Sequence, residues 1–344
     1  MPTQRPPPPP SIGNRKSSNI NSFVDLQVNG FLGKNFSDPN LTLADIHTIT
    51  RELVARGTIA YCPTLITSPL EVYRRNLPLI ATAMRDKNFG RHLLGTHLEG
   101  PYLSPLPGAI GTHPPEWVRR PNVAEFRRLQ RWSRNTIRLL TLSPAAPNAP
   151  ALIRSAVRSH VTVSLGHHLA TNNELQAAVD AGATLCTHLG NGIPNTIPRH
   201  DNPLWWQLAC DRLSAMLITD GHHLPDAFIK VALRAKGMKR VIVTSDASPI
   251  AGMPAGRYTI APGQLWILRK SGRIENPAAH CLAGSSSTML DCLNHLASLR
   301  LLTPAELIQI ARENPLRALG LPASRLHGLK TPRLHFKRNR FIVG

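Results

Sequence analysis

The chain has 344 residues, five cysteines, and 40 Lys and Arg against 20 Asp and Glu, for a formal net charge of +20. That length suits one α/β barrel with appendages and buries a core without disulfides or a structural metal; the dispersed cysteines (Cys62, Cys186, Cys210, Cys281, Cys292) form no C-x-x-C pair and read as buried free thiols of a cytoplasmic protein. The charge invites a nucleic-acid reading, but the basic residues are scattered and the clusters Arg127-Arg128-Arg131-Arg134 and Lys337-Arg338-Arg340 carry no interleaved aromatics, so nucleic acid is disfavoured as a partner.

Residues 1–20 are Pro-rich and then polar, with no apolar signal core, and read as a disordered tail. From Phe23 onward, short apolar runs alternate with amphipathic segments. Expected strands are Phe23–Val28, Thr58–Pro63, His92–Leu98, Thr136–Leu142, Val161–Leu165, Thr184–Thr187, Leu213–Thr219 and Val241–Ser245. Expected helices include Leu43–Arg56, Glu71–Arg85, Asn173–Ala181 and Asp226–Ala235. Thr171 or Asn172 caps the third, and Pro225 opens the fourth. Helices follow at Ser285–Leu299 and Thr303–Leu316, the latter with a Thr303/Glu306 capping box. Eight strands with helices between them predict a (β/α)8 TIM-type barrel over residues 21–322, and residues 323–344 read as a short β-hairpin outside it. An open doubly wound sheet is the runner-up, weakened by the lack of G-x-G-x-x-G after the first strand. No run approaches the ~20 apolar residues a membrane span needs.

In a barrel the site forms at the C-terminal ends of the strands. Those ends carry Gln27 and Asn29, His97 and Glu99, His167-His168, His188, Asp220 with His222-His223, and Asp246. Imidazoles on adjacent strands can hold a divalent cation, and a carboxylate on the last strand can manage the proton of an attacking water. The pattern fits metal-assisted hydrolysis.

The ordered set Asp25-Leu-Gln-Val-Asn-Gly30, Cys62-Pro-Thr-Leu-Ile-Thr-Ser68, His97-Leu-Glu-Gly-Pro-Tyr102, Gly111-Thr-His113, Gly166-His167, Thr187-His-Leu189, Asp220-Gly-His-His223, Asp246-Ala247 and Leu282-Ala-Gly-Ser285 resembles the N-acetylglucosamine-6-phosphate deacetylase family of the amidohydrolase superfamily. The resemblance implies hydrolysis of the acetamide of N-acetylglucosamine 6-phosphate, or a close N-acetyl amino-sugar phosphate, by an enzyme with one divalent metal ion, Zn2+ or alternatively Fe2+. It implies His167 and His188 as metal ligands, Glu99 as a further candidate, and Asp246 as the catalytic carboxylate. It implies substrate contacts from His113, Asn191, Gly192, His223, Leu282, Ala283 and Gly284, with Arg199 pairing the phosphate. It further implies a homodimer.

Two departures stand out. Strand four ends Leu142-Ser143-Pro144-Ala145, where the resemblance implies a metal-ligand Glu in place of Ala145. The accessory β-sandwich of the family is expected to be reduced or absent. The alternatives are therefore a catalytically impaired sugar-phosphate-binding barrel, or an amidohydrolase acting on another N-acyl substrate.

Overall fold

The structure is a computed structural model and describes residues 22–261 and 264–344; the expected Pro-rich tail lies outside the described residues. Eight parallel strands pair in the order of the chain: β1 (Phe23–Val28), β2 (Thr58–Ile66), β3 (Thr96–Glu99), β4 (Ile137–Leu142), β5 (Thr162–Leu165), β6 (Leu185–Cys186), β7 (Ser214–Leu217) and β8 (Val241–Val243). The ring closes through a single parallel bridge between Val28 and Ala247, with Asn29 N–H donating to Ala247 O at 2.8 Å. This is a (β/α)8 barrel.

Helices α1 (Leu43–Ala55), α2 (Leu70–Ala83), α3 (Val123–Trp132), α4 (Ala149–Arg158), α5 (Asn172–Asp180), α6 (Pro203–Ala209), α7 (Asp226–Lys236) and α8 (Met289–Ser298) follow the strands. Sequence chemistry sets several of their ends. Thr171 caps α5 with Glu174 in a capping box, and Thr303 with Glu306 does the same for the helix that opens at Pro304. Pro225 stands at the cap of α7 rather than inside its first turn. Helix α8 starts at Met289 rather than Ser285, where Thr288 and Asp291 form its capping box.

The barrel is filled by Val24, Leu26, Cys62, Leu139, Met216 and Ile242, with Leu316 and Leu326 closing its floor. Above them lies a polar layer. His97 Nε2 meets Thr141 Oγ1 at 2.8 Å, Thr141 meets Thr187, and Thr187 donates to Ser164, so each of these buried groups is partnered. Burial pushes the His97 imidazole down to about 4, so it is neutral.

A four-stranded antiparallel sheet of β9 (Gly256–Ala261), β10 (Gln264–Leu268), β11 (Ile274–Asn276) and β12 (Cys281–Leu282) sits over the mouth of the barrel. Its own small core joins Ile250, Trp266, Leu268, Ile274 and Ala283. This roof is not among the elements expected from the sequence. The C-terminal hairpin, β13 (Leu334–Lys337) and β14 (Arg340–Val343), docks by exchanging two hydrogen bonds between Asn294 and the Phe341 backbone. Phe341 then meets Phe23 edge-on, centroids 5.2 Å apart. Phe341→Ala empties a fully buried site and should cost about 3–5 kcal/mol, read as a lower urea midpoint. A loss under about 1 kcal/mol would mean the hairpin is an ornament.

All five cysteines are free; Cys62, Cys186 and Cys292 are buried, whereas Cys210 and Cys281 are only half-buried. Among the described residues no helix is long and apolar enough to cross a membrane.

Candidate active site

A cleft of about 660 Å³ lies between the barrel mouth and the roof. Every site residue expected from the sequence lines it except Arg199: Glu99, His113, His167, His188, Asn191, Gly192, His223, Asp246 and the Leu282-Ala283-Gly284 segment all converge there. Arg199 is exposed on the loop before α6, and its backbone oxygen accepts from Trp205 Nε1 and Asn202 Nδ2.

Three donor atoms meet at the centre. Glu99 Oε1 lies 3.1 Å from His167 Nε2 and 3.0 Å from His188 Nε2, and the two Nε2 atoms are 3.0 Å apart. The His167 contact is not an ordinary hydrogen bond of a neutral imidazole. His167 Nδ1 is 2.8 Å from the Ala109 carbonyl, which can only accept, so the proton sits on Nδ1 and Nε2 presents a lone pair. A lone pair facing a carboxylate oxygen at this distance calls for a cation between them. The Nδ1–carbonyl contact is also the usual means of orienting a metal-bound imidazole. One carboxylate and two imidazoles make the three-ligand set of a catalytic divalent site.

His113 approaches the same carboxylate by its other oxygen, Nε2 to Oε2 3.8 Å, and a Glu99–His113–His167 grouping is also close enough to consider. However, His113 Nδ1 accepts from Thr67 N–H at 3.3 Å, which leaves the proton on Nε2. A protonated nitrogen cannot ligate. His188 therefore belongs to the donor set, and His113 stands beside it as a hydrogen-bond donor. Burial pushes His113 down to about 3, which keeps it neutral.

Position 145 plays no part. Ala145 follows β4 on a turn, is absent from the cleft wall and packs against the outer core. A carboxylate reaches the two imidazoles from β3 instead, through Glu99 Oε1. His168 turns neither inward nor to solvent. It is buried and paired with the Gln207 amide at 2.9 Å.

Asp246 stands beside the donor set. Its Oδ1 accepts from Gln27 Nε2 at 2.8 Å and Asn29 Nδ2 at 2.7 Å, and the same Gln27 amide reaches Glu99 Oε1 at 2.8 Å. The β1 amides thus serve the two carboxylates. Burial first, then the charge of Glu99, pushes the Asp246 carboxyl well up from its usual range. Asp25, buried beneath, accepts from Thr244 and Ser245 and so pins the two residues before Asp246. His223 Nδ1 is held by Asp220 Oδ2 at 2.8 Å. Burial works against ionisation of Asp220, but the His223 contact and Ser285 hold it well below the usual carboxylate range.

The backbone is unusual here. His167, His188 and Asp246 all have left-handed φ, at 55°, 31° and 50°. Gly192, also left-handed, passes close behind the imidazoles. A Cβ there would lie 3.0 Å from His167 Nδ1 and 3.1 Å from His188 Cε1.

A parallel barrel with a His–His–Glu donor set and an aspartate after its eighth strand defines the class as an amidohydrolase-type barrel. No protein-family model matches the chain. Individual relatives do. It is 33% identical over 301 residues to an N-acetylgalactosamine-6-phosphate deacetylase of Escherichia coli O157:H7, covering 87% of this chain and 78% of the relative. It is 31% identical over 310 residues to an N-acetylglucosamine-6-phosphate deacetylase of Bos taurus, covering 87% and 74%. Among solved structures it resembles a Mycobacterium smegmatis N-acetyl-D-glucosamine-6-phosphate deacetylase, an aspartate-to-alanine mutant in complex with N-acetyl-D-glucosamine-6-phosphate, with TM-score 0.85, 27% identity and coverage of 98% and 91%. The chain belongs to the N-acetylglucosamine-6-phosphate deacetylase family.

Proposed function

We propose that the protein hydrolyses the acetamide of N-acetylglucosamine 6-phosphate to glucosamine 6-phosphate and acetate, using one divalent metal ion, Zn2+ in the first instance. The observation that carries this reading is the convergence of Glu99, His167 and His188 at mutual distances of 3.0–3.1 Å beside Asp246. A divalent ion held by those three side chains would polarise the acetamide carbonyl and lower the pKa of an attacking water. The remaining work falls to the chain. Asp246, its Oδ1 fixed by two amides, takes a proton from the water on its other oxygen as the water attacks the carbonyl carbon. It then returns that proton to the nitrogen as the C–N bond breaks. His113 Nε2–H and the imidazole of His223, fixed by Asp220, flank the reacting group. Asn191, Gly192 and the Leu282-Ala283-Gly284 segment shape the sugar pocket. The dispersed free thiols fit a cytoplasmic setting, and a homodimer is carried over from the resemblance.

The test is acetate release from N-acetylglucosamine 6-phosphate and from its C4 epimer, N-acetylgalactosamine 6-phosphate, before and after chelation. We expect turnover of the former, loss of activity by at least about 10²-fold in the chelated protein, and recovery on adding a divalent ion. Turnover unaffected by chelation sinks the metal-dependent mechanism. A marked preference for the galacto epimer moves the substrate to that sugar, the specificity carried by the name of the E. coli relative.

A further inference from the structure

One wall of the cleft is a long loop in the connection from β6 to α6. Its residues Gly192, Ile193, Pro194, Asn195 and Ile197 line the cavity. Little holds the middle of this loop. Residues 198–201 are exposed. Among the described residues, the hydrogen bonds of residues 193–201 reach no further than Asn202 and Trp205. Pro194 packs on Gly108, where a Cβ would lie 2.7 Å from the Pro194 Cα. The place of the wall is therefore set largely at its two ends.

We propose that His168 is a positioning residue that clamps both ends of this loop and so sets the shape of the sugar pocket; this rests on the deacetylase reading above. His168 is 2% exposed and directly follows His167. Its backbone N–H donates to Gly192 O at 3.1 Å, at the near end of the loop. Its ring reaches the far end. Nδ1 accepts from Ala170 N–H at 3.3 Å, so the proton of the neutral ring sits on Nε2. Nε2 lies 2.9 Å from the side-chain amide of Gln207, on α6. A protonated nitrogen needs an acceptor, so the amide meets it with its oxygen.

Helix α6 is a firm anchor for that contact, although seven residues are too few to persist as an isolated helix. At its start, Asn202 Oδ1 accepts from Leu204 N–H at 3.1 Å and Trp205 N–H at 3.3 Å. At its end, the buried Lys236 of α7 donates Nζ to Gln207 O at 2.7 Å and Cys210 O at 2.6 Å. The run His168–Gln207–Lys236 thus ties the strand that ends in His167 to two helices behind the loop. His167 has its own tether, Nδ1 to Ala109 O at 2.8 Å. The clamp can therefore be loosened without freeing that imidazole.

The experiment uses limited trypsin digestion with mass spectrometry, beside steady-state kinetics on N-acetylglucosamine 6-phosphate. Arg199, exposed in the loop, is the reporter, since trypsin cuts after it. Gln207→Met keeps the side-chain bulk and the backbone oxygen that Lys236 uses, and removes only the acceptor for His168. Cleavage after Arg199 should speed up about tenfold in Gln207→Met and in His168→Leu, relative to cuts elsewhere in the chain. Gln207→Glu, which still offers an oxygen to Nε2–H, should stay within about twofold of wild type. KM should rise about tenfold in the first two variants, with kcat within about threefold and metal content unchanged. The double variant should be no worse than the worse single one, because the two side chains make one contact. The proposal is overturned if cleavage after Arg199 is unchanged, if all cuts speed up together, or if the loss falls on kcat and metal content while KM holds. A wild-type protein that releases no acetate refutes the deacetylase reading, and the digestion still decides the clamp.

Discussion

Asp246→Asn should lower acetate release about 10³-fold while leaving metal content and sugar-phosphate binding intact. The substitution is nearly isosteric. An Asn oxygen can still accept from Gln27 and Asn29, the two amides now on Oδ1. What disappears is the ability to take a proton from water and return it to the leaving amine. Metal content should hold because Asp246 is not one of the three converging donors. Activity within tenfold of wild type would remove Asp246 from the proton-transfer role. The mutant structure of the M. smegmatis relative with its substrate encourages calorimetry on this variant, because substrate binding there survives loss of an aspartate.

Glu99→Ala should do more damage and do it differently. It takes away the one anion of the donor set and leaves two neutral imidazoles, too few for a catalytic divalent site. We expect metal content to fall below a tenth of an equivalent and activity to drop by on the order of 10³-fold or more, since the metal's share of transition-state stabilisation is several kcal/mol and each 1.36 kcal/mol is tenfold. The two variants therefore separate cleanly, one keeping its metal and the other losing it. Elemental analysis decides the matter. A fully loaded, active Glu99→Ala protein would mean that the third ligand lies elsewhere.

The barrel was legible because its strands are short β-branched and apolar runs at steady spacing, and all eight expected runs overlap the observed strands. The donor set was harder. His97 and Glu99 are two residues apart on β3, so strand geometry sends both side chains inward. Their depth decides their fate: His97 sits down in the polar layer against Thr141, while Glu99 reaches the mouth. Sequence spacing carries no information about depth. Ala145 misled for a related reason, since a residue on the turn after a strand can point either way. The roof escaped notice because its strands are short and mostly half-exposed, from Gly256 to Leu282, with weak alternation.

The left-handed backbone at His167, His188 and Asp246 has an energetic consequence. Such conformations cost about 1–3 kcal/mol each for residues other than glycine. Glycine or asparagine would suit those positions better. Two histidines and an aspartate thus occupy the least comfortable places on this backbone, a strain that persists only where the surrounding structure over-determines it and that clusters at active sites.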